Sequence, residues 1–313
     1  MAAPVLVGDD LDRDLKSEPT AVTWLAADIA EALKTDLELL HVYKIPELTV
    51  PLNSLAMLER PYVLRLANAL GDETLRLRQV KPKLRILPTV KRGDPVDVLL
   101  KEVVEGGCKV VVIGTHGRTG LRRAFLGSVA EEFIRRSPVP VLAVNSHVRL
   151  RDRGRFPTRI LVALDLSDLS TLPAPLETAK EYASLFQVPM VLMHVVEEWV
   201  YPVVQSASLL AGGYIMPLER ELQAHANDRY AQLRQLAGNL KSQGFAVEVR
   251  IVEHSKSPSQ AIVEEAKNTS SDLIAIGHRH ASKLEYALLG SVGRHVMRDA
   301  HCPVLVVPPK SGK

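Results

Sequence analysis

The feature that most constrains this chain is an internal duplication held at a fixed distance. Pro95 and Pro258, Gly114 and Gly277, Gly127 and Gly290, and Pro140 and Pro303 all lie 163 residues apart. Two copies in strict register require one structural unit built twice, so the fold problem reduces to that of one half. Earlier positions slip: Asp10 and Asp165 are 155 apart, and His41 and His194 are 153 apart. About ten additional residues therefore sit between His194 and Pro258, and the Gly- and Pro-containing stretch Tyr201 to Pro217 is where they are expected, because surface loops absorb insertions at little entropic cost.

Within each half the hydrophobic period switches between strand and helix. In the first, the apolar run Ala3 to Gly8 is followed by Val22, Leu25, Ala26, Ile29 and Leu33 at helical spacing, with Ser17-Glu18-Pro19 as the helix start. The run Leu37 to Val42 comes next, then a long helix around Ser54 to Val80 kinked or broken at Pro61, and a strand Lys83 to Val90. A helix opens at Asp94-Pro95, and Val110 to Gly114, a helix from Gly127 to Arg136, and Val139 to Val144 complete the unit. The second half repeats the plan from Arg159 to Val307. The strands are near-continuous in Val, Ile and Leu, as in a parallel sheet covered by helices on both faces. The expected fold is α/β, two tandem three-layer domains with five strands each. We place the first at residues 1–147, a basic linker at 148–157 and the second at 158–313.

Composition narrows the function classes. Of 313 residues, 46% are hydrophobic and 24% charged, values of a globular protein with a substantial core. The net charge of +3 is too mild to argue for a nucleic-acid partner. Part of it is local, in Arg149-Leu-Arg151-Asp-Arg153-Gly-Arg155, which reads as a solvated linker in preference to a docking site for an acidic partner. No run reaches the length of a membrane-spanning helix and the start lacks a signal-peptide pattern, so the expected location is cytoplasmic, with no membrane partner. Cys108 and Cys302 each precede an apolar run and are expected to be reduced core residues.

In an open parallel sheet, ligands bind beyond the carboxyl ends of the strands where the strand order reverses. Asp10 and Asp165 follow the first strand of each half, Val42 and Val195 end the second, and Gly114 and Gly277 end the fourth, so one crevice per half can collect them. The first copy reads Gly114-x2-Gly117-x9-Gly127-Ser128. Gly114 lets the chain turn as it leaves the strand, and Gly117 clears the space where backbone N–H groups would approach an anion. Gly127-Ser128 opens a helix whose free N–H groups and positive dipole end suit a phosphate, with Arg118, Arg122 and Arg123 able to screen further charge. The competing structural reading is a glycine turn followed by a serine helix cap. No P-loop or G-x-G-x-x-G motif is present, nor a nucleophile, base and orienting group around these loops, so catalysis is expected to be absent or limited to slow ATP hydrolysis.

The spacing G-x2-G-x9-G-[S/T], preceded by Val110-Val-Val-Ile and followed by Pro138-Val-Pro-Val-Leu-Ala-Val, resembles the nucleotide-binding branch of the universal stress protein family. So do Ile160-Leu-Val-Ala-Leu-Asp165-Leu-Ser167 and Met190-Val-Leu-Met-His194-Val195-Val196, and the likeness covers nearly the whole chain as a tandem of two family domains. It implies strand order 3-2-1-4-5 in each half and ATP, or the related AMP or ADP, in the crevice. By this resemblance Asp10 would contact ribose or adenine, the Val42 backbone would read the adenine edge, and Gly114, Gly117, Gly127, Ser128 and Val129 would hold the phosphates. It also implies pairing of the two halves through their last strands as an intramolecular pseudo-dimer, with further homodimerisation open. An apolar edge strand left open invites aggregation, an independent reason to expect it covered.

Both halves depart from the family pattern. Asp9, Asp10 and Asp12 cluster at the first site, so either a divalent cation such as Mg accompanies the nucleotide or Asp9 and Asp12 face solvent, the favoured reading. The second copy, Gly277-x2-His280-x9-Gly290-Ser291, carries an imidazole where the first has Gly117. We expect that second site, formed by Asp165, Val195, Gly277, His280, Gly290 and Ser291, to be degenerate: empty, or selective for a smaller ligand such as AMP. His278-x-His280 is at most half of a metal site, and His295 and His301 read as surface residues. Three functions compete: a nucleotide-dependent regulator in the stress response, a partner-docking module with little use of nucleotide, and a slow ATPase.

Overall fold

The computed structural model describes residues 4–8, 20–44, 52–115, 126–146, 148, 156–166, 173–197, 216–255, 257–278 and 290–309. Their strands are β1 (Val5–Gly8), β2 (Leu37–Tyr43), β3 (Ile86–Arg92), β4 (Val110–Gly114) and β5 (Val141–Val144) in the first half. The second contributes β6 (Ile160–Ala163), β7 (Met190–Glu197), β8 (Val247–Ser255), β9 (Leu273–Gly277) and β10 (Val304–Val307). All ten form one sheet in the order β3-β2-β1-β4-β5-β10-β9-β6-β7-β8. Neighbours pair in parallel within each half, and β5 meets β10 antiparallel at the centre. Each half thus has order 3-2-1-4-5, and the two halves are zipped through their last strands into a pseudo-dimer.

The strands are apolar throughout because both of their faces are covered. Successive residues point to opposite faces of a sheet. Val5 and Val7 accordingly join one core cluster and Leu6 the other. The first cluster lies under α1 (Ala21–Ala32), α2 (Leu52–Val80), α5 (Ala174–Phe186) and α6 (Met216–Ser242). The second lies under α3 (Pro95–Gly106), α4 (Ser128–Arg136), α7 (Pro258–Asn268) and α8 (Ser291–Asp299). Both clusters run across the central seam, so the halves share one core on each face.

The helix ends follow local chemistry. Asp94 caps α3, its Oδ1 accepting from the N–H groups of Val96 at 2.9 Å and Asp97 at 3.3 Å, and Gly107 closes the helix at φ 62°. Ser257 caps α7 in the same way, accepting from Gln260. Two expectations need adjusting. Helix α1 starts at the cap Thr20, whose Oγ1 accepts from the Thr23 N–H at 3.3 Å, while Ser17, Glu18 and Pro19 lie outside the described residues. Pro61 lies inside α2 without ending it, on the exposed side, where water can take up the carbonyl freed by the missing N–H.

The solvated reading of Arg149 to Arg155 falls outside the described residues, but the residues just beyond that run are buried. Val148 and Phe156 are buried in the same cluster as the seam residues Leu142, Val144, Leu305 and Val307. The basic residues 149–155 lie outside the described residues, as do 198–215, which include most of the stretch expected to hold the insertion. Among the described residues no helix is long and apolar enough to cross a membrane.

Candidate functional site

Strand order reverses between β1 and β4 in the first half and between β6 and β9 in the second. These two switch points are where side chains from separate strands converge. Asp10 and Gly117 lie outside the described residues, as do Arg118, Arg122, Arg123, Asp9, Asp12 and His280. The other candidate residues fall within them.

In the first half, Gly114 ends β4, and the chain crosses toward β5 as the Thr115 N–H donates to the Val144 carbonyl at 2.9 Å. Thr115 is completely buried. The Gly127 N–H then donates to the Thr115 carbonyl at 2.7 Å, which pins the start of α4 to the end of β4. The cap of α4 is Gly127, with no side-chain hydrogen bond, so the serine-cap alternative does not hold: Ser128 is the first helical residue. Ser128 and Val129 are exposed at this end, and the first intrahelical bond runs from the Glu131 N–H to the Gly127 carbonyl. The helix therefore presents its leading N–H groups beside the switch point without an internal acceptor from its cap. Val42 is half-buried near the end of β2.

Next to Val42, Tyr43 anchors the rim. Its hydroxyl donates to Glu59 Oε1 at 2.7 Å, its ring meets Tyr62 edge-on at 5.8 Å, and Arg92 approaches Glu59 at 3.5 Å. Burial and the Glu59 carboxylate push the Tyr43 hydroxyl up to about 12. It stays protonated and serves as a fixed donor.

The second half repeats this framework with altered contents. Leu164 N–H donates to the Met193 carbonyl at 2.8 Å, and His194 Nδ1 lies 2.9 Å from the Leu164 carbonyl, fixing the turn that delivers Asp165. His278 N–H donates to the Val307 carbonyl at 2.8 Å, the counterpart of the Thr115 bond. Asp165, Ala174, Pro175, Gly277, His278, Val307 and Pro309 line a cavity of about 300 Å³. Gly290 caps α8 without a side-chain bond and Ser291 opens it, as in the first half. Val195 is half-buried on β7 and packs against the core at the position matching Val42.

Sequence reasoning considered His278 only as half of a metal site and did not foresee that it is buried at the place matching Thr115. Position 278 follows Gly277 as Thr115 follows Gly114, and its imidazole is buried where the first half buries a hydroxyl. Carrying the comparison of the two copies one residue past the strand would have exposed it. The reason given for the strand-end glycines also changes. Neither Gly114 nor Gly277 has a positive φ, so no special turn is required. A Cβ at Gly277 would meet Pro175 Cγ at 3.2 Å, so there the approach of α5 favours glycine, whereas one at Gly114 would meet Val22 Cγ2 at 3.5 Å, an ordinary contact.

Among the described residues no three His, Cys, Asp or Glu side chains gather as a metal site. Cys108 and Cys302 are free and buried, as expected. Burial pushes the Cys108 thiol up to about 11 and that of Cys302 further, so neither is a nucleophile near neutrality. His295 is exposed, whereas His301 is half-buried and departs from the surface reading.

A duplicated, doubly wound α/β protein with a switch point in each half is the class defined by this fold. The model of the universal stress protein family matches residues 1–145 and 157–308, and the chain belongs to that family. The universal stress protein Rv2005c of Mycobacterium tuberculosis is 27% identical over 225 residues, 72% of this chain and 69% of that protein. Slr1101 of Synechocystis sp. is 50% identical over 52 residues, which span 17% of this chain and 48% of the relative. The chain thus spans about half the length of that relative and about two thirds of the mycobacterial one. A universal stress protein structure from Archaeoglobus fulgidus shares the fold at a TM-score of 0.63 and 19% identity, with 97% of this chain and 96% of that one covered.

Proposed function

We propose that the first half binds ATP, or the related ADP or AMP, and that the protein acts as a nucleotide-dependent regulator in the stress response. The observation that carries this reading is the start of α4. It is tied to the strand end by the Gly127–Thr115 hydrogen bond, and its leading N–H groups lack a side-chain cap. Such a terminus suits a polyphosphate, whose charge the helix dipole favours. Gly114, Gly117, Gly127, Ser128 and Val129 would hold the phosphates, Asp10 the ribose or adenine, and the Val42 backbone the adenine edge. Asp9 and Asp12 would face solvent, leaving Asp10 as the carboxylate at the site.

The second site is read as degenerate toward ATP. His280 occupies the position of Gly117, and His278 adds a second imidazole on the floor. Its cavity of about 300 Å³ stands at the low end for small-molecule sites and favours a mononucleotide such as AMP over ATP. Output would pass to a protein partner, which the site does not name.

The test is titration with ATP and with AMP of the wild type, Gly117→His and His280→Gly. Gly117→His is expected to abolish or greatly weaken ATP binding, and His280→Gly to create or improve a second site. Equal binding by all three proteins would sink the reading of the glycine positions. Absence of ATP binding at millimolar concentration by the wild type would favour the partner-docking function instead.

A further inference from the structure

The seam between β5 and β10 has a near two-fold axis. Leu142 faces Leu305, Val141 faces Val306 and Ala143 faces Val304. The repeat offset of 163 maps Leu142 onto Leu305, so this one position meets its own counterpart and marks the axis. The same offset maps Glu131 of α4 onto Arg294 of α8, and these two also face each other, with Arg294 Nη1 at 3.3 Å from Glu131 Oε1. A position that meets its own counterpart is a special one. In a pairing of two identical halves it would oppose Glu to Glu or Arg to Arg.

A second asymmetry lies beside it. The offset maps Asn145 onto Pro308. The Asn145 Nδ2 donates to the carbonyls of Met297 at 2.9 Å and Ala300 at 2.7 Å, closing the end of α8 from across the seam. Proline has no donor, so Pro308 cannot return this bond. Local preference makes Arg294 unusual as well. A helix's first turn favours a carboxylate, which Glu131 supplies in α4, whereas the first turn of α8 has no acidic residue and carries Arg294 at the matching place. The partner across the seam explains a charge that its own helix does not.

We propose that Glu131 and Arg294 are the recognition pair through which the first half selects the second, so that the seam accepts its own complement and disfavours a second copy of either half. Duplication made this possible, because an identical pair cannot place opposite charges on its own axis. The inference rests on the seam alone and is independent of any ligand.

The experiment uses the full chain in four forms: wild type, Glu131→Arg, Arg294→Glu and the double reversal, compared by equilibrium denaturation at low and high salt. The pair is half-exposed, so an effect of about threefold on the folding constant per reversal is expected, unequal between the two because the helix dipole opposes one change and favours the other. The coupling cancels those separate helix effects. The double reversal should recover most of the loss predicted by adding the single changes, and high salt should shrink the coupling. Additive losses, or a coupling indifferent to salt, would overturn the proposal. Neutral Glu131→Gln/Arg294→Gln serves as a folding control: stability equal to the wild type at low salt would also overturn it.

Discussion

At residue scale, the matched glycines Gly114 and Gly277 are not equivalent. A methyl group at Gly114 finds ordinary contact with a valine, whereas at Gly277 it meets the rigid ring of Pro175 at 3.2 Å. Gly277→Ala should therefore lower stability by about 1 kcal/mol or more, with Gly114→Ala costing clearly less, as read by thermal denaturation. Equal losses would mean that the helix yields as easily at Pro175 as at Val22. These glycines are legible in the sequence as a pattern, and their cause is not. The periodic spacing marks where glycine stands, but the neighbours it meets, Val22 of α1 and Pro175 of α5, are ones that only the fold brings alongside, and of the two only Pro175 crowds it. The burial of His278 is likewise a property of the fold and not of its neighbours in sequence.

At the scale of elements, Asp94 shows how one cap holds a helix to its neighbours. Besides capping α3 it pairs with Lys44, and that ammonium is the main cause holding its carboxyl below the ordinary value. Asp94→Ala should cost about 1 kcal/mol through the lost cap, measured by chemical denaturation at neutral pH. The sign with pH follows from the lowered value. The charged form is favoured by folding, so this contribution is present above about pH 4, where the unfolded carboxyl is ionised, and fades as pH falls through the folded value. The gap between wild type and variant should narrow in acid, and an unchanged gap would assign the loss to something other than the carboxylate. The Asp-Pro signature makes this helix readable from the residues alone. The start of α1 is less so, because Ser17 and Thr20 are both capping residues in one short stretch and only the Thr20 geometry separates them.

Over the whole molecule, the duplicated pattern contains the layers, the strand count and the parallel sense, and the family likeness supplies the strand order and the seam. Between positions 149 and 155 four arginines and an aspartate dominate the composition, and the flanking Val148 and Phe156 carry no periodic signal of the burial that the fold gives them. Their burial is a tertiary effect, since they share a buried cluster with the seam residues Leu142, Val144, Leu305 and Val307. Phe156→Ala should cost about 3 kcal/mol and lower the melting temperature of the whole chain, because the seam joins both cores. Calorimetry should show one transition moving as a unit; a shift confined to one of two separate transitions would show that the halves melt independently.

The antiparallel joint at β5 and β10 has a further consequence. The strands of the first half carry their carboxyl ends to one end of the sheet and those of the second to the opposite end, so the two switch points face away from each other. A rigid surface docked over one mouth does not reach the other. A molecule held at one switch point would therefore lie at the far end of the sheet from one held at the other.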